Sequence, residues 1–280
     1  MKLGLSTPIV MQHPGEFSPW EAGAGPDELA LVAETADRLG FHHLTCAEHT
    51  GIPASAAGVR GTVYWDPLAT LSFLAARTRR IRLATAVVVL PYHHPVALAK
   101  SYGTLDRLSG GRVILGVGVG SLTEEFELLG AQFDDRGAAA DRDIARLRAA
   151  WGQPVVDGFA IEPHATTTDL SVWVGGRTKR SLRRAVELGT GWMPFGLSAD
   201  TIAELLAPHD LPASFDVVLS PGAALDPLGD PDAARGRLSR LRDVGATIAN
   251  CSVQARNAEH FCEQLAALQA IGEDLLVMQC

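Results

Sequence analysis

The stretch "RIRLATAVVVLPYHHPVALAKSYGTLDRLSGGRVILGVGVG" (80–120) contains one complete strand–helix–strand unit. Residues 81–91 are apolar apart from Arg82 and Thr85, which is typical of a parallel strand that is covered on both faces. A helix is predicted from Pro95 to the glycine pair at 110–111, because proline favours the first helical turn and glycine favours the position after the last. Residues 112–119 predict the next strand. Strands alternating with helices at this spacing indicate a βα repeat.

The same alternation continues in both directions along the chain. Strands are predicted at 2–7, 42–48, 170–176, 191–194, 214–221 and 246–253, and helices at 26–39, 66–79, 136–151, 178–189, 230–245 and 257–272. About eight βα units result, and this number favours a (β/α)₈ TIM barrel of the α/β class over an open doubly wound sheet. We expect one domain over residues 1–280. Residues 152–169 are predicted to be a loop or a degraded unit.

Composition narrows the possible partners. The net charge is −8 and no basic stripe is present, which argues against nucleic-acid binding. No segment approaches the roughly 20 apolar residues of a membrane span, and the N-terminus is too polar for a signal peptide. Cys46, Cys251, Cys262 and Cys280 are far apart in sequence and form no CxxC pair. We therefore expect reduced thiols, a cytoplasmic location, no membrane partner and a small-molecule substrate.

In a barrel of this kind the functional groups follow the carboxyl ends of the strands. These ends carry no nucleophile elbow and no HExxH motif. Glu48 and His49 are the candidates for a catalytic pair, although a purely structural role as polar residues at the end of a strand explains them equally well. A metal site that adds His93 and His94 to this pair is a further alternative, which we consider the weaker one.

Two glycine-rich strand ends predict a ligand site. The glycines of "GRVILGVGVG" (111–120) fail the GxGxxG pattern because position 121 is Ser121. Glycine within a strand often marks the close approach of a ligand, so this end is interpreted as a surface that admits a flat ring. In "VWVGGRTKRS" (172–181), Gly175 and Gly176 precede a helix start, and Arg177 adds positive charge. This segment is a candidate phosphate site, although a tight turn would also require two glycines.

Several motifs together resemble the luciferase-like monooxygenase superfamily, whose members use FMN or the deazaflavin coenzyme F420. Residues 80–143 are similar to the F420-dependent branch, especially in "LDRLSGGR", "GVGVG", "EEFELLG" and "RG". "VWVGGRTKRSLRRAVELGTGWMP" (172–194) matches a second block. "LGLSTP", "AETADRLGF" and "AEHTGIP" match the N-terminal strands.

The resemblance implies a (β/α)₈ barrel with the coenzyme ring at the carboxyl-end mouth and a homodimeric assembly. It also implies a bulge with a non-prolyl cis peptide at Ala86–Val87. The resemblance further implies that Glu48 and His49 occupy the catalytic position beside the reactive atom of the ring. The residues expected to bind the cofactor are Ser6, Thr85, Ala86, Val87, Gly118, Val119, Ser121, Gly175, Gly176, Arg177 and Thr178.

Two departures from the family pattern bear on function. Ser121 stands where related sugar-phosphate dehydrogenases carry a glutamate, which argues against their chemistry. The segment between Trp151 and Val172 is shorter than in most relatives, and we expect it to lack their usual hairpin. Loops 8–25 and 51–65, with Trp20, Tyr64 and Trp65, either line the substrate pocket or anchor the loops.

The resulting hypothesis is an F420-dependent oxidoreductase that transfers a hydride between the deazaflavin C5 and a small organic substrate. An FMN-dependent monooxygenase is the first alternative. A non-catalytic flavin- or deazaflavin-binding protein and a metal-dependent barrel hydrolase are the others.

Overall fold

The strands of the computed structural model, which describes residues 1–277, run parallel and close into a barrel. The first barrel strand pairs with the second on one side and with the last on the other, which completes the ring. The barrel strands are β1 (Lys2–Leu5), β2 (His43–Cys46), β3 (Arg82–Thr85), β4 (Val88–Val89), β5 (Val113–Gly118), β8 (Val172–Gly175), β9 (Gly191–Met193), β10 (Asp216–Leu219) and β11 (Ile248–Cys251). Because β3 and β4 are two parts of one strand, the barrel has eight strands, and the predicted fold class is confirmed.

The helices surround this barrel. They are α1 (Pro26–Leu39), α2 (Ala57–Arg60), α3 (Pro67–Arg77), α4 (Pro95–Ser109), α5 (Thr123–Leu129), α6 (Arg136–Ala150), α7 (Lys179–Leu188), α8 (Ala199–Leu206), α9 (Pro231–Asp243) and α10 (Ala258–Val277). The local signals mark their ends well. Asp66 accepts a hydrogen bond from the N–H of Ala69 at the start of α3, and Gly110 ends α4 with a φ of 72°.

The third barrel strand is interrupted at a predicted place. The Ala86–Val87 peptide between β3 and β4 is cis, which confirms the bulge expected from the family resemblance. On the neighbouring strand, a side chain at Gly116 would clash with the carbonyl oxygen of Thr85. A glycine is therefore required where the two backbones approach each other.

Side chains fill the interior of the barrel. A small apolar cluster of Ala84, Ile114, Trp173, Val218 and Ile248 occupies its centre. Below it, the buried His43 ring packs against the backbone of Gly4, where any side chain would clash with the imidazole. The interior is a packed core and not a pore, as is usual for barrels of this size.

The segment 152–169 differs from the prediction. It was expected to lack a hairpin, but it contains a short one, formed by β6 (Val155–Val156) and β7 (Phe159–Ala160). Asp157 and Gly158 form its two-residue turn, with φ values of 52° and 81°. An Asp-Gly pair between two apolar pairs is a strong hairpin signal, and the sequence interpretation missed it because the strands are so short. Helices α2, α5 and α8 were also not predicted.

Three of the four cysteines have free thiols. Cys46 and Cys251 are buried and Cys262 is half-buried, in agreement with the expected reduced state. Cys280 lies outside the described residues. Within residues 1–277, no helix combines the length and the apolar character needed to cross a bilayer.

Candidate active site

The bulge in the third strand places Val87 at the carboxyl ends of the barrel strands. A methyl group added at Gly118 would lie 2.6 Å from Val87 Cγ2, and one at Gly175 would lie 2.9 Å from Val87 Cγ1. The Val87 side chain therefore fills the space that these two glycines leave free. The group that Gly118 admits in this structure is another residue of the chain, and the contact of this strand end with a flat ring stays a prediction. A flat ring bound at the mouth would meet Val87.

Glu48 supports the bulge from the neighbouring strand. Its Oε2 accepts a hydrogen bond of 2.6 Å from the backbone N–H of Val89, and its backbone N–H donates to the carbonyl of Val87 at 3.3 Å. Its Oε1 lies 2.8 Å from Nε2 of His93, and this hydrogen bond raises the pKa of His93. Both carboxylate oxygens are thus in use within the protein, and a catalytic role for Glu48 stays a prediction.

His49 contacts a different carboxylate. Its Nδ1 lies 2.8 Å from Oε2 of Glu125, and its ring packs edge-on against Tyr64 with 4.6 Å between the ring centroids. The His49 side chain is 21% exposed, and no residue within 1–277 forms a hydrogen bond with its Nε2. One ring nitrogen is therefore held by the protein while the other is free for a ligand.

Glu125 is completely buried beneath His49. Besides His49, it accepts hydrogen bonds from the Tyr92 hydroxyl at 3.0 Å and from the backbone N–H groups of Thr50 and Gly51 at 2.6 and 3.2 Å. Burial and the nearby carboxylates raise the pKa of Tyr92, so its hydroxyl stays protonated and donates. Each of the adjacent residues Glu48 and His49 is thus paired with a residue far away in the chain.

The alternative metal site is not formed. Glu48 and His93 contact each other, His49 contacts Glu125, and His94 is exposed at the start of α4. In the part of the chain that the structure describes, no three histidine, cysteine, aspartate or glutamate side chains are grouped as metal ligands would be.

The predicted phosphate segment lies at the start of α7. Gly176 has a φ of 121°, and Thr178 caps the helix by accepting from the N–H of Ser181. The first turn carries Lys179 and Arg180 and no acidic residue. Within residues 1–277, no acceptor is found for the backbone N–H groups of these two cations. Cations are unfavourable at a helix N-terminus, so their presence here fits an anion bound between them.

The remaining predicted residues lie on the same face of the barrel. Ser6 follows β1 and donates its N–H to the carbonyl of Cys251 at 2.7 Å. Thr85 is buried at the end of β3, and its hydroxyl donates to the carbonyl of Gly116, so its side chain is already used within the barrel. Val119 is half-buried after β5, whereas Ser121 is exposed.

Sequence reasoning missed Glu125 and Tyr92. Glu125 lies in the quoted "EEFELLG", and it is buried in α5 together with Phe126, next to the buried Leu122 that precedes the helix. A glutamate on the apolar face of a short helix is a signal for a buried and partnered carboxylate. The partner, however, could not be identified from spacing.

A closed parallel barrel with its polar groups at the carboxyl ends of the strands is the arrangement of the (β/α)₈-barrel enzymes. Within that class, the chain belongs to the luciferase-like monooxygenase family, whose family model matches residues 1–270. It is 34% identical over 203 residues to 4-hydroxyprotoasukamycin monooxygenase of Streptomyces nodosus subsp. asukaensis. This alignment covers 70% of the chain and 49% of that relative, so the chain spans about half the length of that relative.

Several solved structures share the fold. Monooxygenase RslO1 from Streptomyces bottropensis superposes with a TM-score of 0.79 at 23% identity, with all of both chains covered. An F420-dependent secondary alcohol dehydrogenase in complex with an F420–acetone adduct superposes with a TM-score of 0.70 at 12% identity, with 96% of this chain and 97% of that chain covered. At these identities the likeness shows the fold alone.

Proposed function

We propose that this family member is an F420-dependent oxidoreductase that transfers a hydride between the deazaflavin C5 and an unsaturated or carbonyl carbon of a small organic substrate. The observation that carries the proposal is the hydrogen bonding of the two ring nitrogens of His49 at the mouth of the barrel. Its Nδ1 is held by Glu125, and its Nε2 has no partner within residues 1–277. An imidazole arranged in this way can give or take the proton that accompanies a hydride.

The chain's own residues fit the two ends of such a coenzyme. Gly176, Arg177 and the first turn of α7 offer backbone N–H groups and three cations to an anionic tail. Val87, set against Gly118 and Gly175, offers an apolar surface to a planar ring. The resemblance of residues 80–143 to the F420-dependent branch favours the deazaflavin over FMN.

In the proposed reaction, the coenzyme and the protein residues have different roles. Coenzyme F420, when bound, supplies or accepts the hydride at C5. In alcohol oxidation, Nε2 of the neutral His49 ring would accept the proton of the substrate hydroxyl while the hydride leaves the substrate carbon; in carbonyl reduction, the doubly protonated ring would give that proton to the substrate oxygen. Glu48 keeps the third-strand bulge in place through Val89, and Tyr64 packs against the side of the His49 ring.

A binding titration tests the proposal. Purified protein is titrated with F420 and, separately, with FMN, and the fluorescence of each cofactor is followed. We expect tighter binding of F420, and the variant Arg180→Gln should weaken binding by roughly tenfold because a charged contact at the helix start is lost. Arg183→Gln is the matched control, because Arg183 lies one turn further along the same helix, is 61% exposed and pairs with Glu187. Equal weakening by both variants would contradict a tail site at the start of α7.

A flavin-dependent monooxygenase is the second candidate. It is favoured by the 34% identity to a monooxygenase over 70% of the chain. In that case FMN would bind more tightly than F420 in the same titration, and the reduced complex would consume oxygen.

The homodimer expected from the family resemblance is part of the proposal. Phe73 on α3 and Leu108 on the adjacent α4 are 39% and 72% exposed, so two neighbouring helices offer large apolar side chains to a partner surface. Light scattering at micromolar concentration should give twice the mass of one chain.

A further inference from the structure

Glu125 lies among four hydrogen-bond donors. One oxygen, Oε1, faces the backbone N–H groups of Thr50 and Gly51, and the other, Oε2, faces the Tyr92 hydroxyl and Nδ1 of His49. Backbone amides can only donate, and the hydroxyl of Tyr92 donates here as well. Of the four groups, His49 alone has a choice between two neutral tautomers, which differ in the ring nitrogen that carries the proton.

The Glu125 carboxylate determines which tautomer of His49 forms. An ionised carboxylate only accepts hydrogen bonds, so Nδ1 must carry the proton when it lies 2.8 Å from Oε2. The lone pair of the neutral ring is then on Nε2, which is the nitrogen without a partner within residues 1–277. The other tautomer would place two lone pairs against each other in a buried position.

We infer that Glu125 is the positioning residue of His49: it holds the neutral ring with its proton on Nδ1 and thereby turns the Nε2 lone pair toward the ligand space. This inference rests on the proposed function for its purpose, because a proton-handling group needs the correct nitrogen to face the substrate. It assigns a role to a residue outside the strand-end motifs of the sequence.

The variant Glu125→Gln changes this tautomer with little change in shape. Thr50 and Gly51 can donate only to an oxygen, so the amide oxygen must occupy the Oε1 position. The amide nitrogen then takes the Oε2 position and donates to Nδ1 of His49. The neutral ring is forced to carry its proton on Nε2, which makes the ligand-facing nitrogen a donor.

Nitrogen NMR of protein labelled with ¹⁵N-histidine measures this directly, without any coenzyme. The chain has nine histidines, and the His49 signals are assigned by their loss in His49→Gln. At about pH 9, where an ordinary imidazole is neutral, we expect the Nδ1–H tautomer in the wild type and the Nε2–H tautomer in Glu125→Gln. Tyr92→Phe should keep the wild-type tautomer, because it removes only the other donor to Oε2.

Glu48→Gln is the matched control for the substitution itself. Glu48 contacts His93 at the same distance of 2.8 Å, so this variant should alter the His93 signals and leave those of His49 unchanged. An Nε2–H tautomer of His49 in the wild type would overturn the inference even if Glu125→Gln failed to fold. An unchanged tautomer in a folded Glu125→Gln protein would overturn it as well.

Activity supplies a second readout. We expect Glu125→Gln to lower kcat by about 10²–10⁴-fold while F420 binding is retained, because the residues proposed to bind the coenzyme lie elsewhere on the mouth. A purely structural role would lower the amount of folded protein and leave kcat per folded molecule unchanged. Failure of F420 to bind the wild type would contradict the proposed function only, since the NMR result does not depend on the coenzyme.

Discussion

At the carboxyl ends of the strands, His49 and His93 each lie 2.8 Å from a carboxylate oxygen, whereas in the amino-terminal part of the barrel His42 and His43 lie 3.1 Å from each other. The hydrogen bond to Glu48 raises the pKa of His93. Burial without a counter-charge lowers the pKa of His42 to about 4 and that of His43 to about 3. The same side chain is thus available for proton transfer at one end and is a neutral packing group at the other.

The largest expected effect separates these two roles. His49→Gln should lower kcat by about 10²–10⁴-fold with little loss of stability, because a partly exposed ring with a free nitrogen is removed. His43→Gln should do the opposite, lowering stability by about 1–3 kcal/mol through its lost packing and its lost bond to Asn250. Steady-state kinetics and urea unfolding of both variants check this contrast. Equal loss of kcat per folded molecule in both would break it.

The next prediction tests the packing of the His43 imidazole in the interior of the barrel. Gly4→Ala would place a methyl group against the His43 imidazole, in a core with no room to move, and should destabilise the protein by about 1–3 kcal/mol. Gly236→Ala on the exposed face of α9 is the control, since nothing lies within 4 Å of its added carbon. This control should be neutral or more stable by about 0.5–1 kcal/mol. Urea unfolding measures both, and a tolerated Gly4→Ala would contradict the tight contact.

The pH dependence of stability sharpens the comparison further. His43 is neutral in the folded protein down to about pH 3, while in the unfolded chain it takes up a proton below about pH 6.5. The unfolded state therefore binds more protons between these values, and stability falls as the pH is lowered from about 6.5 toward 3. For His43 alone the loss is about 2 kcal/mol by pH 5. Urea unfolding near pH 7.5 and pH 5 should show a smaller acid-induced loss in His43→Gln than in the wild type.

The smallest expected effect is that of His93, whose contribution to stability decreases as the pH rises, opposite to that of His43. Because the pKa of His93 is raised, its pairing with Glu48 stabilises the protein fully below about pH 6.5, and this stabilisation is lost as the pH rises through the folded value. His93→Gln should therefore lower stability by less than about 1 kcal/mol at pH 5.5 and by still less at pH 8.5. A loss that grows with pH would show that the pair does not hold a protonated imidazole.

Much of the candidate site could be placed from the sequence, because barrel topology brings every strand end to one face. The strand pattern of the sequence predicts that Glu48, His49, Gly118 and the segment at Gly175 lie at this face, and the structure places the same strand ends there. The contacts that each of these groups makes could not be predicted from the sequence. The contact of Gly118 with a coenzyme ring stays a prediction, whereas its close contact with Val87 depends on the bulge and could not be predicted from the sequence.

The sequence by itself determined the order of the barrel strands and of the main helices, and with it the barrel, because hydrophobic periodicity and helix-end residues are local along the chain. The resemblance of its motifs to a known family indicated the family and the position of the interrupted third strand. Only the tertiary structure decided which carboxylate meets which histidine. Glu125 and His49 are 76 residues apart and Glu48 and His93 are 45 apart, and no local pattern encodes a contact between them. The physical reason is that a hydrogen bond requires its two atoms to lie within about 3 Å of each other. For residues this far apart in the sequence, only the closure of the barrel brings the atoms to that distance.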